Sequence, residues 1–210
     1  MTEQHSTLRA HRRAETQRAI QAHAVRLFTE RGYDATTVTD VAEAAGVSPM
    51  TVYRHFPTKE DLVLVDQRGR LVAERIAASS AAQPLVRRIG SALIDAATTL
   101  TGDDLAGKQF LLARLRLMIS TPALRAKHLD NNYALQQAIV DALGDDAADP
   151  DTAFGAHAAA SACLAAMHTA LVRWAEDDGR TELPGLIAKA LAAAFGEGIV
   201  DTGPNGAPGS

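Results

Sequence analysis

The chain has 210 residues, 47% of them hydrophobic and 22% charged, the composition of a soluble globular protein of one or two domains. A single cysteine, Cys163, excludes an internal disulfide framework, suits a reducing cytoplasm and reads as a small apolar core residue. The net charge of −4 divides unevenly: residues 1–59 carry eight Lys and Arg against six Asp and Glu, and residues 60–210 carry thirteen against nineteen. The N-terminal end is therefore the one suited to a polyanion. No run approaches the roughly 18 apolar residues of a membrane helix, and no signal peptide precedes the first amphipathic segment, so a cytoplasmic protein without membrane association is expected.

Residues 1–12 are polar and unpatterned and read as a flexible arm, either one that follows a groove or a frayed terminus. The first helix is expected from Arg13 to Arg31, with Ile20, Ala24, Leu27 and Phe28 on one face and Gly32 as its stop. Thr37 then stands at an N-cap position with Asp40 three residues on, a capping-box spacing. The helix it opens shows Val41, Ala42 and Ala45 to a core and Asp40 and Glu43 to water. Gly46 ends that helix, since glycine takes the left-handed conformation without a Cβ penalty. Ser48 caps a second helix, Pro49 fits its first turn, and Phe56-Pro57 stops it. Two short helices joined by a tight Gly-containing turn make a helix-turn-helix.

The second of these helices has divided faces. Val52 and Phe56, four apart, bury together, which leaves Pro49, Thr51, Tyr53, Arg54 and His55 facing outward or flanking. An ordinary exposed helix carries Glu and Lys there. Hydroxyls, a phenol, a guanidinium and an imidazole instead suit phosphate oxygens and base edges. Thr58 caps the next helix with Asp61 at the third position after it, and Lys59 lies at that helix's positive end, a ready anion site.

Two runs, Thr-Thr-Val-Thr-Asp-Val-Ala-Glu-Ala-Ala-Gly-Val-Ser (36–48) and Thr-Val-Tyr-Arg-His-Phe-Pro-Thr-Lys-Glu (51–60), carry a resemblance. With Leu27-Phe28-Thr29-Glu30-Arg31-Gly32-Tyr33 before them, they resemble the DNA-binding domain of TetR-family transcriptional regulators from about Arg18 to Leu62. The resemblance implies that Thr37, Thr39, Ser48, Thr51, Tyr53, Arg54, His55 and Lys59 carry most polar contacts to double-stranded DNA. Pro49 and Met50 are available for thymine methyls. The cap hydroxyl and Lys59 position the protein through phosphates, while Thr39, Pro49, Met50 and Thr51 read bases. Pro49 and Met50 depart from some relatives, because neither hydrogen-bonds through its side chain, so readout there rests on shape and methyl contact.

Beyond this motif the periodicity is helical throughout, with no β-alternating run. One long helix is expected from Thr58 to about Ala82, carrying Leu62, Val65, Val72 and Ile76, a rigid lever that leaves the DNA-binding part. Pro84 breaks it, and Leu85–Thr101 resumes the pattern with Ile89, Leu93 and Leu100 up to Gly102. Asp103-Asp104 opens a helix through Ser120 that is apolar on most sides, which places it inside a domain. Thr121-Pro122 opens another to about Leu143, followed by an acidic loop. Two alanine-rich helices follow, about Thr152–Asp177 and Leu183–Val200, which their small side chains allow to pack as a tight bundle. Residues 201–210, rich in Gly and Pro, are expected to be disordered.

The expected architecture is therefore all-α, with about nine helices. A three-helix DNA-binding domain occupies residues 13–60, and a helical effector-binding and dimerisation domain occupies residues 61–200. The C-terminal part also resembles regulators of the mycofactocin type, in residues 111–125 and at Trp174, which implies an acyl-CoA-like ligand. Candidate ligand-lining residues are Phe110, Arg114, Leu117, Met118, Tyr133, Met167, Leu171 and Trp174. Arg114 stands among leucines without an acid four residues either side, so it is expected to meet either a carboxylate such as Asp95 or Asp130, or a ligand anion. A homodimer is expected through Ala158, Ala162 and Ala165 packed against Leu186, Leu191 and Phe195. A two-turn recognition helix reads too few bases alone, so a palindromic operator and a symmetric protein go together.

Seven histidines are present, but no His-x-x-x-His pair, Cys cluster, Gly-x-Ser-x-Gly or phosphate-binding glycine loop accompanies them. No enzyme activity, metal or cofactor is expected. The leading expectation is a repressor released from its operator by a small hydrophobic or amphipathic effector. The second is a DNA-binding regulator controlled by a protein partner instead. The third, a helical carrier or enzyme with an unused DNA-binding head, is opposed by the intact recognition face.

Overall fold

The computed structural model describes residues 2–64, 68–102, 105–144 and 149–196. Ten helical segments and no strand occur among them. By packing they form two compact units. One takes residues 1–65 together with 109–129, and the other takes residues 66–108 and 130–210. Packing thus sets residues 109–129 beside the N-terminal segment.

In the first unit, α1 (Thr2–Arg31) packs on α2 (Val38–Ala44) and α4 (Asp61–Leu64), and α3 (Pro49–His55) packs on α2. Ile20, Ala24, Leu27 and Phe28 of α1 are buried, as are Val41, Ala42, Val52, Phe56, Leu62 and Val63; Val47 is half-buried. Each large side chain among them contributes roughly 1.5–3 kcal/mol by leaving water. α1 corrects the expected start at Arg13, because residues 2–12 are helical too. The stretch contains neither Gly nor Pro, and Thr16 Oγ1 donates back to the Arg12 carbonyl oxygen at 2.9 Å. Residues 109–129 complete this unit, with Leu111, Leu112, Leu115, Leu117, Met118 and Leu124 buried.

The second unit is a bundle in which α6 (Leu85–Thr101), α9 (Pro150–Glu176) and α10 (Leu183–Phe195) pack on one another and α5 (Arg68–Ala77) packs on α6. Two helices pass between units along their own length: α7 (Leu105–Ser120) and α8 (Pro122–Leu143). Asp149 caps α9 through a capping box with Thr152. Buried Ala156 and Ala160 on α9 allow close packing, and Cys163, fully buried, has its thiol pushed up to about 12 by that burial. Gly90 of α6 gives room to α10: a Cβ there would stand 3.1 Å from Leu191 Cδ1.

Several expected elements change. The single helix expected over 58–82 contains α4 and α5, and residues 65–67, on which its continuity as a lever depends, lie outside the described residues. Its end comes at Ala77, where Ser79 Oγ donates to the Ile76 carbonyl oxygen and Ser80 begins a turn, serine hydroxyls competing with the helical ladder. α10 ends at Phe195, where Gly196 has φ +92°; residues 197–210, including the expected tail, lie outside the described residues. Residues 103–104 do as well. An 18-residue stretch of α9 is, by length and a mean hydropathy of 1.2, apolar enough to cross a membrane, a hydropathy that alanine supplies without a run of large apolar side chains. Of that stretch, 44% is buried inside the chain.

Candidate nucleic-acid interface

Local sequence builds the helix-turn-helix as spaced. Thr37 Oγ1 accepts the Asp40 amide at 3.1 Å, and Asp40 Oδ2 accepts the Thr37 amide at 2.7 Å. The bond from the Thr37 hydroxyl to this carboxylate, at 2.6 Å, leads the causes that hold Asp40 below the usual carboxylate range. Gly46 turns the chain with φ +66°, a value that other L-residues reach only with strain. Ser48 Oγ then accepts the Thr51 amide at 3.1 Å and lies 3.0 Å from Thr51 Oγ1, so these two hydroxyls satisfy each other.

α3 is divided as its pattern requires. Val52 is fully buried and Phe56 nearly so, while Met50 is 75% and Tyr53 49% exposed. Thr37, Thr39, Ser48, Pro49 and Arg54 are exposed, and Thr51 is half-buried. These residues stand on the α2–α3 pair and its turn, so the structure brings them to one element pair. Two expected contact residues are more deeply engaged with the protein. His55 is half-buried; its Nδ1 is buried and makes no hydrogen bond among the described residues, and burial, with Arg13 and Arg54 nearby, holds its pKa below 6.5. Lys59 is half-buried, with Nζ donating to the Tyr33 carbonyl oxygen at 2.6 Å and standing 4.2 Å from the Tyr33 ring centre and 5.5 Å from that of Phe28.

Two tertiary contacts escaped the sequence. Tyr33 Oη donates to Glu60 Oε1 at 2.7 Å, and burial, followed by that bond, raises the Tyr33 pKa. Lys127 Nζ of α8 lies 3.4 Å from Oδ1 of the buried Asp61. No periodic spacing connects either pair, so no signal in the sequence pointed to them.

The expected ligand-lining residues divide between units: Phe110, Arg114, Leu117 and Met118 lie in the first, Tyr133, Met167, Leu171 and Trp174 in the second. Trp174 is fully buried and donates Nε1–H to the Thr181 carbonyl oxygen at 2.9 Å, whereas Tyr133 is 73% exposed. Both alternatives offered for Arg114 omitted a partner it has: Nε donates to the Val63 backbone carbonyl oxygen, and the guanidinium stands 5.7 Å from the Phe110 ring centre. Asp95 lies instead 3.7 Å from Arg75. Of the expected dimer residues, Ala158 and Ala165 are exposed, and Ala162, Leu186 and Phe195 are half-buried. Leu191 is corrected: it is fully buried over Gly90 in the chain's own core. Among the described residues no three His, Cys, Asp or Glu side chains gather as a metal-holding group.

Residues 20–65 match the family described as bacterial regulatory proteins of the tetR family, and residues 83–195 match the MftR C-terminal domain. A curated relative, the HTH-type transcriptional regulator TcmR of Streptomyces glaucescens, is 31% identical over 135 residues, covering 61% of this chain and 59% of TcmR. The HTH-type transcriptional repressor KstR2 of Rhodococcus jostii is 50% identical over 48 residues, 23% of this chain and 24% of KstR2. The matches thus span well under two thirds of each relative's length. Two solved structures share the fold. FadR of Thermus thermophilus, a TetR-family repressor solved with lauroyl-CoA, has a TM-score of 0.53 at 22% identity, over 92% of this chain and all of that one. NalD of Pseudomonas aeruginosa, the secondary repressor of the MexAB-OprM efflux pump, has a TM-score of 0.57 at 22% identity, over 88% and 96%. With the helix-turn-helix in one family match and more than half the chain in the other, the protein belongs to the TetR family of bacterial regulatory proteins, with a C-terminal domain of the MftR type.

Proposed function

We propose that this protein is a sequence-specific DNA-binding repressor that acts as a two-fold dimer on a palindromic operator and is released by an amphipathic acyl ligand. The observation that carries the DNA-binding reading is α3 itself: Val52 and Phe56 are buried, while Pro49, Met50, Tyr53 and Arg54 stand exposed. Residues of those types meet base edges, thymine methyls and phosphates. Thr37, Thr39, Ser48, Thr51, His55 and Lys59 complete the proposed contact set.

The dimer reading is supported by α9, whose Phe154 is 76% exposed. Ala158, Ala162 and Ala165 follow it at helical spacing on one face. Leu186 and Phe195 of α10, both half-buried, supply the larger apolar groups that would meet these small ones from the partner, and fully buried Leu191 has no part in it. The ligand class is suggested by two fold neighbours, FadR of Thermus thermophilus and FadR of Bacillus subtilis, solved with lauroyl-CoA and stearoyl-CoA.

Selection of bound fragments from random DNA, repeated with long-chain acyl-CoAs present, tests all three parts. Enrichment of an inverted repeat, its loss with acyl-CoA, and sedimentation at twice 22.2 kDa are the expected results. If no fragment is enriched, the DNA-binding reading fails. Enrichment that no acyl ligand disturbs supports control by a protein partner, and a monomer removes the dimer.

A further inference from the structure

The four residues of α4 are all buried, and two cations, one from α7 and one from α8, hold them. Lys127 of α8 stands 3.4 Å from Asp61 Oδ1, and Arg114 of α7 donates Nε–H to the carbonyl oxygen of Val63. The second carboxylate oxygen of Asp61 accepts the Thr58 amide at 3.0 Å, and Thr58 Oγ1 accepts the Asp61 amide at 3.3 Å. Asp61 therefore joins Lys127 on one side to the cap of α4 on the other. Thr58 lies three residues beyond His55, the last residue of α3. The two residues after Thr58 are also fastened, Lys59 to the Tyr33 carbonyl oxygen and Glu60 to the Tyr33 hydroxyl. The segment that sets where α3 ends is thus held from two directions. A buried carboxylate that loses its cation is left uncompensated, so the pair has a strong tendency to stay closed.

We propose that the Lys127–Asp61 ion pair is a positioning latch for operator binding, which fixes the cap of α4 and through it the placement of α3, without contact between either side chain and DNA. This rests on the reading of α3 as the DNA-reading helix. A cation that merely attracts phosphate and a pair that merely stabilises the fold predict different results from a latch. A phosphate contact, when lost, lowers the dependence of affinity on salt by about one unit of slope. A latch leaves the slope unchanged. Removing the acid at Asp61 would, on charge alone, tighten binding to a polyanion, whereas a latch makes binding weaker.

The test measures the full chain's affinity for a fragment enriched by selection, across a salt series, at temperatures where circular dichroism shows each variant folded. Lys127→Met should weaken binding about five- to tenfold with unchanged salt slope, and Lys127→Arg should restore it to within about twofold. Asp61→Asn should also weaken binding, and the double variant should bind no more weakly than the worse single one, the sign of a shared contact. If Asp61→Asn does not fold, the Lys127 variants decide the matter. Unchanged affinity in Lys127→Met, a loss of about one unit of salt slope, or no recovery with Lys127→Arg would overturn the latch. Failure of the unaltered chain to enrich any fragment is a separate result, and it rejects the DNA-binding reading instead.

Discussion

Lys59 donates its ammonium to the backbone carbonyl oxygen of Tyr33 at 2.6 Å, and the same ammonium stands 4.2 Å from the Tyr33 ring centre. The loop after α1 and the loop after α3 are therefore joined by one side chain. Only one of its N–H groups is used by the carbonyl, which leaves a pre-placed cation at the edge of the proposed DNA face.

Lys59→Ala should have two effects. Loss of a charge-assisted hydrogen bond should lower stability by about 1–2 kcal/mol, read in urea melts. Loss of the cation should weaken binding to all sequences alike and reduce the salt slope by about one unit. A changed operator preference would show that Lys59 takes part in base reading.

Gly46 is left-handed, and a Cβ added there meets nothing within 4 Å. The cost of Gly46→Ala is therefore conformational alone, about 1–2 kcal/mol. Gly46→Asn should cost less, since Asn tolerates this region. Chemical denaturation of the three proteins checks the order; equal midpoints would refute it.

At Gly90 the constraint is spatial. Leu191, already fully buried, lies 3.1 Å from where a Cβ would stand. Gly90→Val should destabilise the second unit by about 1–3 kcal/mol through overpacking. Thermal unfolding of Gly90→Val together with Leu191→Ala should recover part of that loss, because the two side chains compete for one space. Additive losses would place the conflict elsewhere.

His55 makes stability depend on pH. Burial, aided by Arg13 and Arg54, holds its folded-state pKa below 6.5, so on acidification the unfolded chain takes up the proton first. The stability gained from the neutral ring is complete above about pH 6.5 and declines as pH falls toward the lower folded-state value. Urea midpoints between about pH 5 and 7.5 should fall with acidification more steeply in the unaltered chain than in His55→Gln. Equal slopes would mean that the ring is as easily protonated folded as unfolded.

What the sequence determined by itself is the helix-turn-helix and the divided face of α3. The capping box of Thr37 and Asp40, the turn at Gly46, the Ser48 cap and the Val52–Phe56 spacing act over three or four residues, so their outcome is written locally. The resemblance to the TetR family followed from the same stretch. Only the tertiary structure decided where long side chains ended. Periodicity placed Arg114 among leucines, yet its Nε reached a backbone carbonyl oxygen in α4, a kind of acceptor that residue spacing does not reveal. Leu186 and Leu191 carry the same side chain on one helix; the first is half-buried and the second fully buried, because Gly90 of α6 opens space for only one of them. Tyr133 came to the surface and Trp174 to the core. A helix offers several faces, and the neighbours that cover them come from chain positions too distant for local spacing to record.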